Sequence, residues 1–235
     1  MDKPAFLHDD GVVRDYPQKK TSAALMVERR SKYEEHFDDF PTPPWATRAL
    51  VKYAIGKDVI RGKEILEPAC GRGHMVKTLN EYGPRILRFS DIDTYDGYGK
   101  YPPTDYVSTS VKFPADWIIT NPPFKLAEAF ARKALSEARY GVAFILRTLW
   151  LDPGAKRFRF FKEFPPTAVF VYAGRMDAAK GKVVQKNGSF MSHSVFVWDI
   201  RNPCKIGNTK LGWIPHEAQQ KLERPDDYDD DWVKK

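Results

Sequence analysis

With 235 residues, 42% hydrophobic and 14% aromatic, the chain has the length and apolar content of one globular domain and falls outside the disordered class. No run reaches the roughly 18 apolar residues of a membrane span. The start, Met1-Asp2-Lys3-Pro4, lacks the order of a signal peptide. The two cysteines, Cys70 and Cys204, give neither a disulfide framework nor metal-ligand spacing, so the expectation is a reduced, cytoplasmic setting with no membrane and no metal.

The formal charge of +7 and a pI near 9.2 suit a polyanionic partner. Asp226, Asp227, Asp229, Asp230 and Asp231 crowd the end of the chain, which leaves the body before them more basic than the total.

Residues 1–30 have no sustained period and read as a flexible arm, followed by a single domain over 31–215 and an acidic tail over 216–235. Pro43-Pro44 open a helix from Trp45 to Ile55, with Leu50, Val51 and Ala54 at helical spacing. Lys63-Glu64-Ile65-Leu66 is a short strand that runs into Pro68-Ala69-Cys70-Gly71-Arg72-Gly73. A helix follows with Met75, Val76 and Leu79 on one side, ending near Gly83-Pro84. Ile86–Ser90 is a strand stopped by Asp91-Ile92-Asp93, and Tyr95 to Pro103 is loop.

Trp117–Thr120 is the strand before Asn121-Pro122-Pro123-Phe124. Lys125–Tyr140 has Leu126, Phe130, Ala134 and Ala138 at i, i+4 and reads as a helix ended by Gly141. Val142–Leu146 is a buried strand, and Lys156 to Lys162 an amphipathic basic helix. Val169–Tyr172 and Val195–Trp198 close the domain around a Lys-rich loop at 177–190. Strand and helix in alternation predict a mostly parallel sheet with helices on both faces. The last two strands, joined without a helix, are expected as an antiparallel pair at the sheet edge. Nothing in the sequence fixes the oligomeric state; a monomer or weak dimer is expected.

Three features carry chemistry. Glu67-Pro68-Ala69-Cys70-Gly71-Arg72-Gly73 lies between strand and helix, where glycines let backbone approach a ligand at the cofactor position of open α/β sheets. It is neither a phosphate loop nor a full G-x-G-x-x-G. Asp91 ends the second strand, where a carboxylate can accept both hydroxyls of a ribose; Asp105 could take a hydrogen bond from an adenine amino group. In Asn121-Pro122-Pro123-Phe124, the Asn side-chain oxygen and the neighbouring backbone carbonyl can accept the two hydrogens of an exocyclic NH2. The prolines stiffen that loop, and the aromatic face offers a stacking surface for a base.

In this order the motifs resemble the S-adenosylmethionine-dependent amino-methyltransferases of DNA, most closely small adenine-N6 enzymes of phages and prophages, in the gamma arrangement. The resemblance covers roughly residues 40–200. It implies a Rossmann-like class I fold with a seven-stranded sheet and an antiparallel final strand. It further implies that S-adenosylmethionine is held by Thr42, Pro43, Glu67, Pro68, Ala69, Gly71, Gly73, Asp91, Ile92, Asp105 and Asn121, with Thr42 on the methionine carboxylate. Asn121, Pro122, Pro123 and Phe124 would form the catalytic loop. DNA would meet Phe124, Arg147, Lys156, Arg157, Lys182 and Lys186 in a bacterial or phage-infected host. His193-Ser194-Val195-Phe196-Val197-Trp198-Asp199 is similar to the final strand of such enzymes. Many relatives carry Tyr in place of Phe124, and no segment here is long enough for a separate sequence-recognition domain. Recognition is therefore expected to be short or lax, with the 177–190 loop as the only insert. The same loop chemistry also accommodates an adenine of RNA or a glutamine amide of a protein. A non-catalytic nucleic-acid binder of the same fold stands as the different class.

Overall fold

The computed structural model describes residues 39–95, 103–152, 154–179, 181–185 and 191–229, and the expected N-terminal arm lies outside them. Pro44 starts helix α1 (Pro44–Ala49), which continues in π-helical geometry over Leu50–Ile55. Strand β1 (Glu64–Glu67) passes through the glycine turn into α2 (His74–Asn80), followed by β2 (Ile86–Phe89) and β3 (Ala115–Thr120). After the Asn121 loop come α3 (Ala127–Glu137), β4 (Ala138–Arg147), α4 (Gly154–Glu163) and β5 (Ala168–Tyr172). A two-stranded hairpin, β6 (Ala178–Ala179) and β7 (Lys182–Val183), precedes β8 (His193–Asp199), β9 (Lys210–Ile214) and α5 (Ala218–Leu222).

Seven strands make one sheet in the order β2-β1-β3-β4-β8-β5-β9. Pairing is parallel from β2 to β4, and β8 runs antiparallel to both β4 and β5. The expected antiparallel pairing of the last two strands is present, but β8 lies inside the sheet. The edge is formed by β9, which pairs parallel to β5 and was not anticipated.

Side chains alternate across the buried strands, as the two-residue period of a strand requires. Trp117, Ile119, Ala143, Ile145, Val195 and Val197 meet α1 and α2 on one face. Ile118, Val142, Phe144, Leu146, Phe196 and Trp198 meet α3 and α4 on the other. Helices therefore cover both faces.

Two boundaries differ from the sequence reading. The helix expected to run to Tyr140 stops at Glu137, and Gly141 lies within β4. A Cβ at Gly141 would meet the Trp117 ring at 2.4 Å and the Trp198 carbonyl at 2.6 Å, so glycine serves close packing there rather than helix termination. The C-terminal segment expected as an acidic tail carries α5 and a 3-10 turn (Pro225–Tyr228). Asp227 is buried and takes both terminal nitrogens of Arg48, at 2.7 and 2.9 Å. Glu81 accepts from the same guanidinium at 2.8 and 3.0 Å. This packing makes every residue of α1 buried, including Thr47 and Arg48.

Candidate active site

Open parallel sheets present their ligand crevice at the carboxyl ends of the strands. Here that edge collects Glu67 from β1, Asp91 after β2, Asn121 after β3 and Arg147 from β4. His193, at the start of antiparallel β8, joins them by pairing with Arg147.

The glycine turn is held against β2. Ser90 donates its N–H to the Glu67 carbonyl at 3.0 Å, and Cys70 donates to the Ser90 carbonyl at 3.0 Å. Gly71 and Gly73 adopt φ of 51° and 83°, the left-handed region that disfavours any side chain. Gly71 N–H donates to the Asp91 carboxylate at 2.7 Å, and Asp93 N–H to its other oxygen at 3.3 Å. Burial pushes the Asp91 carboxyl up to about 6, against the pull of these backbone donors. Pro68 is buried and Ala69 and Ile92 half-buried along the same turn.

Glu67 is buried, and one of its oxygens accepts from the Thr120 hydroxyl. Its second oxygen is buried with no hydrogen-bond partner among the described residues. Burial raises this carboxyl well above the usual carboxylate range.

Asn121 is tied to the N-terminal side of the site. Its amide nitrogen donates to the Thr42 hydroxyl at 3.0 Å, across 79 residues of sequence. Thr42 is buried one residue before Pro43, the N-cap of α1. The Asn121 side-chain oxygen is buried and has no partner among the described residues. With its nitrogen engaged, the amide has one orientation and presents an unused acceptor; such a buried group calls for a donor that arrives with a ligand. Pro122 is buried, and Pro123 caps a 3-10 turn over Phe124–Leu126.

Phe124 forms a wall of the same crevice. The Arg147 guanidinium lies 4.4 Å from its ring centroid, and the His193 ring lies 6.0 Å away at a tilt of 38°. Burial, then the positive charge of Arg147 and Arg175, lowers His193 to about 4, so its imidazole is neutral near pH 7. The Arg147 Nε is buried without a partner among the described residues.

Other expected residues lie differently. Asp105 caps its own turn, accepting from the N–H groups of Val107 and Ser108, each at 3.1 Å, and from the Ser108 hydroxyl. Its neighbour Thr104 donates to the Asp91 carbonyl at 2.7 Å, which returns this segment to the crevice. Arg157 folds inward and donates to the carbonyls of Trp150 and Asp152 at 3.3 and 3.0 Å. Lys156 belongs to α4, but its side chain lies outside the described residues, as does Lys186 entirely. Lys182 is exposed on β7. The hairpin is tied back to the site: Gly181 N–H donates to the Asp39 carbonyl at 2.8 Å, and the Asp39 carboxylate accepts two bonds from Arg72 of the glycine turn.

Sequence reasoning gave no site role to Thr120, Asp39 or His193, the last of which it included only in the segment similar to a final strand. Thr120 directly precedes Asn121, but only the fold sets it beside Glu67. Among the described residues no group of three or more His, Cys, Asp or Glu side chains is arranged to hold a metal ion. No helix of the described residues is long and apolar enough to cross a membrane.

No protein-family model matches the sequence, and no curated protein matches it. Solved structures do match. A type I restriction-modification system methyltransferase subunit from Streptococcus thermophilus superposes with a TM-score of 0.56 at 12% identity, covering 83% of this chain and 52% of that one. A Listeria monocytogenes protein assigned to the class I S-adenosylmethionine-dependent methyltransferases gives 0.52 at 13% identity, covering 84% and 74%. A Vibrio vulnificus protein assigned as the modification subunit of a type I restriction enzyme gives 0.52 at 14% identity, covering 85% and 55%. The chain thus spans about half the length of the two restriction-system subunits. At these identities the likeness establishes the fold: the chain has the Rossmann-like class I methyltransferase fold.

Proposed function

We propose that this protein transfers a methyl group from S-adenosylmethionine to the N6 amino group of adenine in DNA. The observation that carries the reading is Asn121, whose nitrogen is fixed by Thr42 and whose buried oxygen has no other partner among the described residues. The fold shared with S-adenosylmethionine-dependent methyltransferases supports the cofactor. The DNA assignment is supported by the fold shared with restriction-system methyltransferase subunits, the basic charge, and the order of the motifs.

The cofactor fits the residues at the crevice. Gly71 and Gly73 allow close approach of the backbone, and the Asp91 carboxylate retains lone pairs for ribose hydroxyls beyond the two N–H donors it accepts. Glu67 adds a buried carboxyl oxygen with no partner among the described residues, and Thr42 with Pro43 closes the side next to Asn121. On this reading Ile92 and Asp105 would lie toward the nucleoside base, Asp105 with its carboxylate already accepting from its own turn. When bound, S-adenosylmethionine supplies an electrophilic sulfonium methyl.

An aromatic amine is a poor nucleophile because its lone pair is delocalised into the ring. Asn121 Oδ1 and the Pro122 carbonyl would accept its two hydrogens and favour a pyramidal nitrogen. As positive charge develops there, fixed acceptors stabilise it, the reverse of an oxyanion hole. Phe124 would hold the base plane, and placing the two reactants together supplies much of the remaining acceleration. The proton leaves to water after transfer, so the neutral His193 serves as a pocket wall.

The test is incubation with tritiated S-adenosylmethionine and, separately, unmethylated duplex DNA, single-stranded DNA, RNA and a protein extract, followed by digestion and mass spectrometry. N6-methyladenine from DNA is the expected result. Label found only in RNA or in glutamine overturns the substrate, and no label in any arm overturns the reading.

A further inference from the structure

Strands β4 and β8 are paired so that Arg147 and His193 stand directly opposite each other. Such cross-strand neighbours have Cβ atoms roughly 4.5–5.5 Å apart, within reach of a long side chain. The strands stay tied beyond this pair. Thr148 N–H donates to the Ser192 carbonyl at 2.8 Å, and its hydroxyl bonds with those of Ser192 and Ser194 at 2.9 and 2.8 Å. His193, buried, is thus held between two anchored neighbours of its own strand.

Each of the two side chains keeps one buried polar atom unused. The His193 imidazole donates to the Met191 carbonyl, and its Nδ1 is buried with no partner among the described residues. In a neutral ring with one nitrogen donating, the other is an acceptor, so Nδ1 presents a lone pair. The Arg147 Nε, a donor, is also buried with no partner among the described residues. Arg48, Arg72 and Arg132 each reach a carboxylate, whereas Arg147 lies over the Phe124 ring. Buried polar groups are as a rule paired. Here an unused donor and an unused acceptor belong to facing residues, both beside Phe124.

We propose that His193 is a positioning residue for Arg147: when a base takes the face of Phe124, the displaced guanidinium turns its Nε–H to His193 Nδ1 and offers its terminal nitrogens to a phosphate of the DNA backbone. This rests on the reading of the site as one that receives a base of DNA. A guanidinium is planar, so fixing Nε fixes the plane of the whole fork. A fork already held loses less side-chain freedom when it meets a phosphate than one that swings free. The choice of acceptor matters as well. A carboxylate opposite Arg147 would orient it but cancel its charge; a neutral imidazole orients it and leaves the charge for the phosphate. Burial and the positive charges of Arg147 and Arg175 keep His193 in that neutral form.

The experiment follows methyl transfer to unmethylated plasmid DNA, intact and heat-denatured, across a salt series. It compares wild type, His193→Phe, His193→Asn, Arg147→Ala and the double variant His193→Phe with Arg147→Ala. Phe keeps a flat ring in the wall without an acceptor, and Asn places an amide oxygen close to the position of Nδ1. The slope of log kcat/KM against log salt should fall by about one in His193→Phe and in Arg147→Ala, and no further in the double variant. His193→Asn should recover most of the slope, and the loss in His193→Phe should fall on KM rather than on kcat. An unchanged slope in either single variant, a further fall in the double variant, or no recovery in His193→Asn overturns the positioning role and leaves the reading of the site standing. Wild type inactive on both forms of DNA overturns the two together.

Discussion

Arg147 lays its guanidinium over the ring of Phe124, 4.4 Å from the centroid, on a surface a flat base would use. A cation–π contact is worth about 0.5–2 kcal/mol, whereas base–aromatic stacking is worth about 1–3 kcal/mol. An incoming base can therefore displace the guanidinium, the more readily if a backbone phosphate receives it. Arg147→Ala should then lower the slope of log K against log salt for DNA binding by about one. Phe124→Ala should reduce kcat/KM by roughly tenfold to a hundredfold, while Phe124→Tyr should stay near wild type. Salt titrations and steady-state kinetics check the pair, and an unchanged salt slope removes Arg147 from phosphate contact.

On the proposed reading, Asn121→Ala removes the acceptor for the target amine. By analogy with loss of a single oxyanion-hole donor, kcat should fall by at least about 10² to 10³, with cofactor affinity nearly unchanged. Thr42→Val, which keeps the shape but releases the Asn121 amide, should lower kcat by a smaller factor of about ten. Single-turnover rates alongside calorimetric titration of S-adenosylmethionine separate the two effects. Near-normal turnover in Asn121→Ala would show that the catalytic loop lies elsewhere.

The pH dependence has a definite sign. Asp91 is raised to about 6 by burial, so without ligand its neutral form is favoured below that value. Relative to the unfolded chain, its contribution to stability is present below the ordinary value of 3.8 and is lost as pH rises through about 6. Ribose hydroxyls donate to the ionised carboxylate and pull the other way. Cofactor affinity should therefore increase between pH 5 and 7 and level off above, and Asp91→Asn should bind weakly with no such rise. Calorimetry across this range decides, and a flat profile for the wild type would exclude Asp91 from the ribose contact.

Asp227 and Arg48 are both buried and joined by two hydrogen bonds. Removing one partner of such a pair strands the other charge, at about 3–5 kcal/mol. Asp227→Ala should lower Tm by on the order of 10 °C, measured by circular dichroism. An unchanged Tm would mean that the C-terminal segment contributes nothing to the hold on α1.

What the sequence made legible is what is local. Asn121-Pro122-Pro123-Phe124 and the glycine turn were readable because their chemistry is carried by adjacent residues, and the structure brings them to one edge of the sheet. The bond from Asn121 to Thr42 was not readable, because 79 residues separate the partners. Gly141 was read as a helix stop, since glycine signals a break; the clash with Trp117 and Trp198 exists only once three strands are side by side. Strand β9 is short and interrupted by Gly212, where a Cβ would fall 2.7 Å from the Phe170 ring. Charge alone suggested Arg157 for phosphate, but its reach to the Trp150 carbonyl depends on a turn that sequence periodicity does not register.

The bond between Arg48 and Asp227 spans 179 residues, and α1 begins two residues after Thr42. During synthesis the strands of the sheet leave the ribosome in sequence, but this clamp cannot close until residue 227 has emerged. The helix that follows Thr42 is thus made well before the carboxylate that completes the hold on Arg48. A nascent chain can therefore hold a formed sheet before α1 has its full set of contacts, and on the proposed reading competence for transfer would wait for residue 227 rather than grow gradually with each strand.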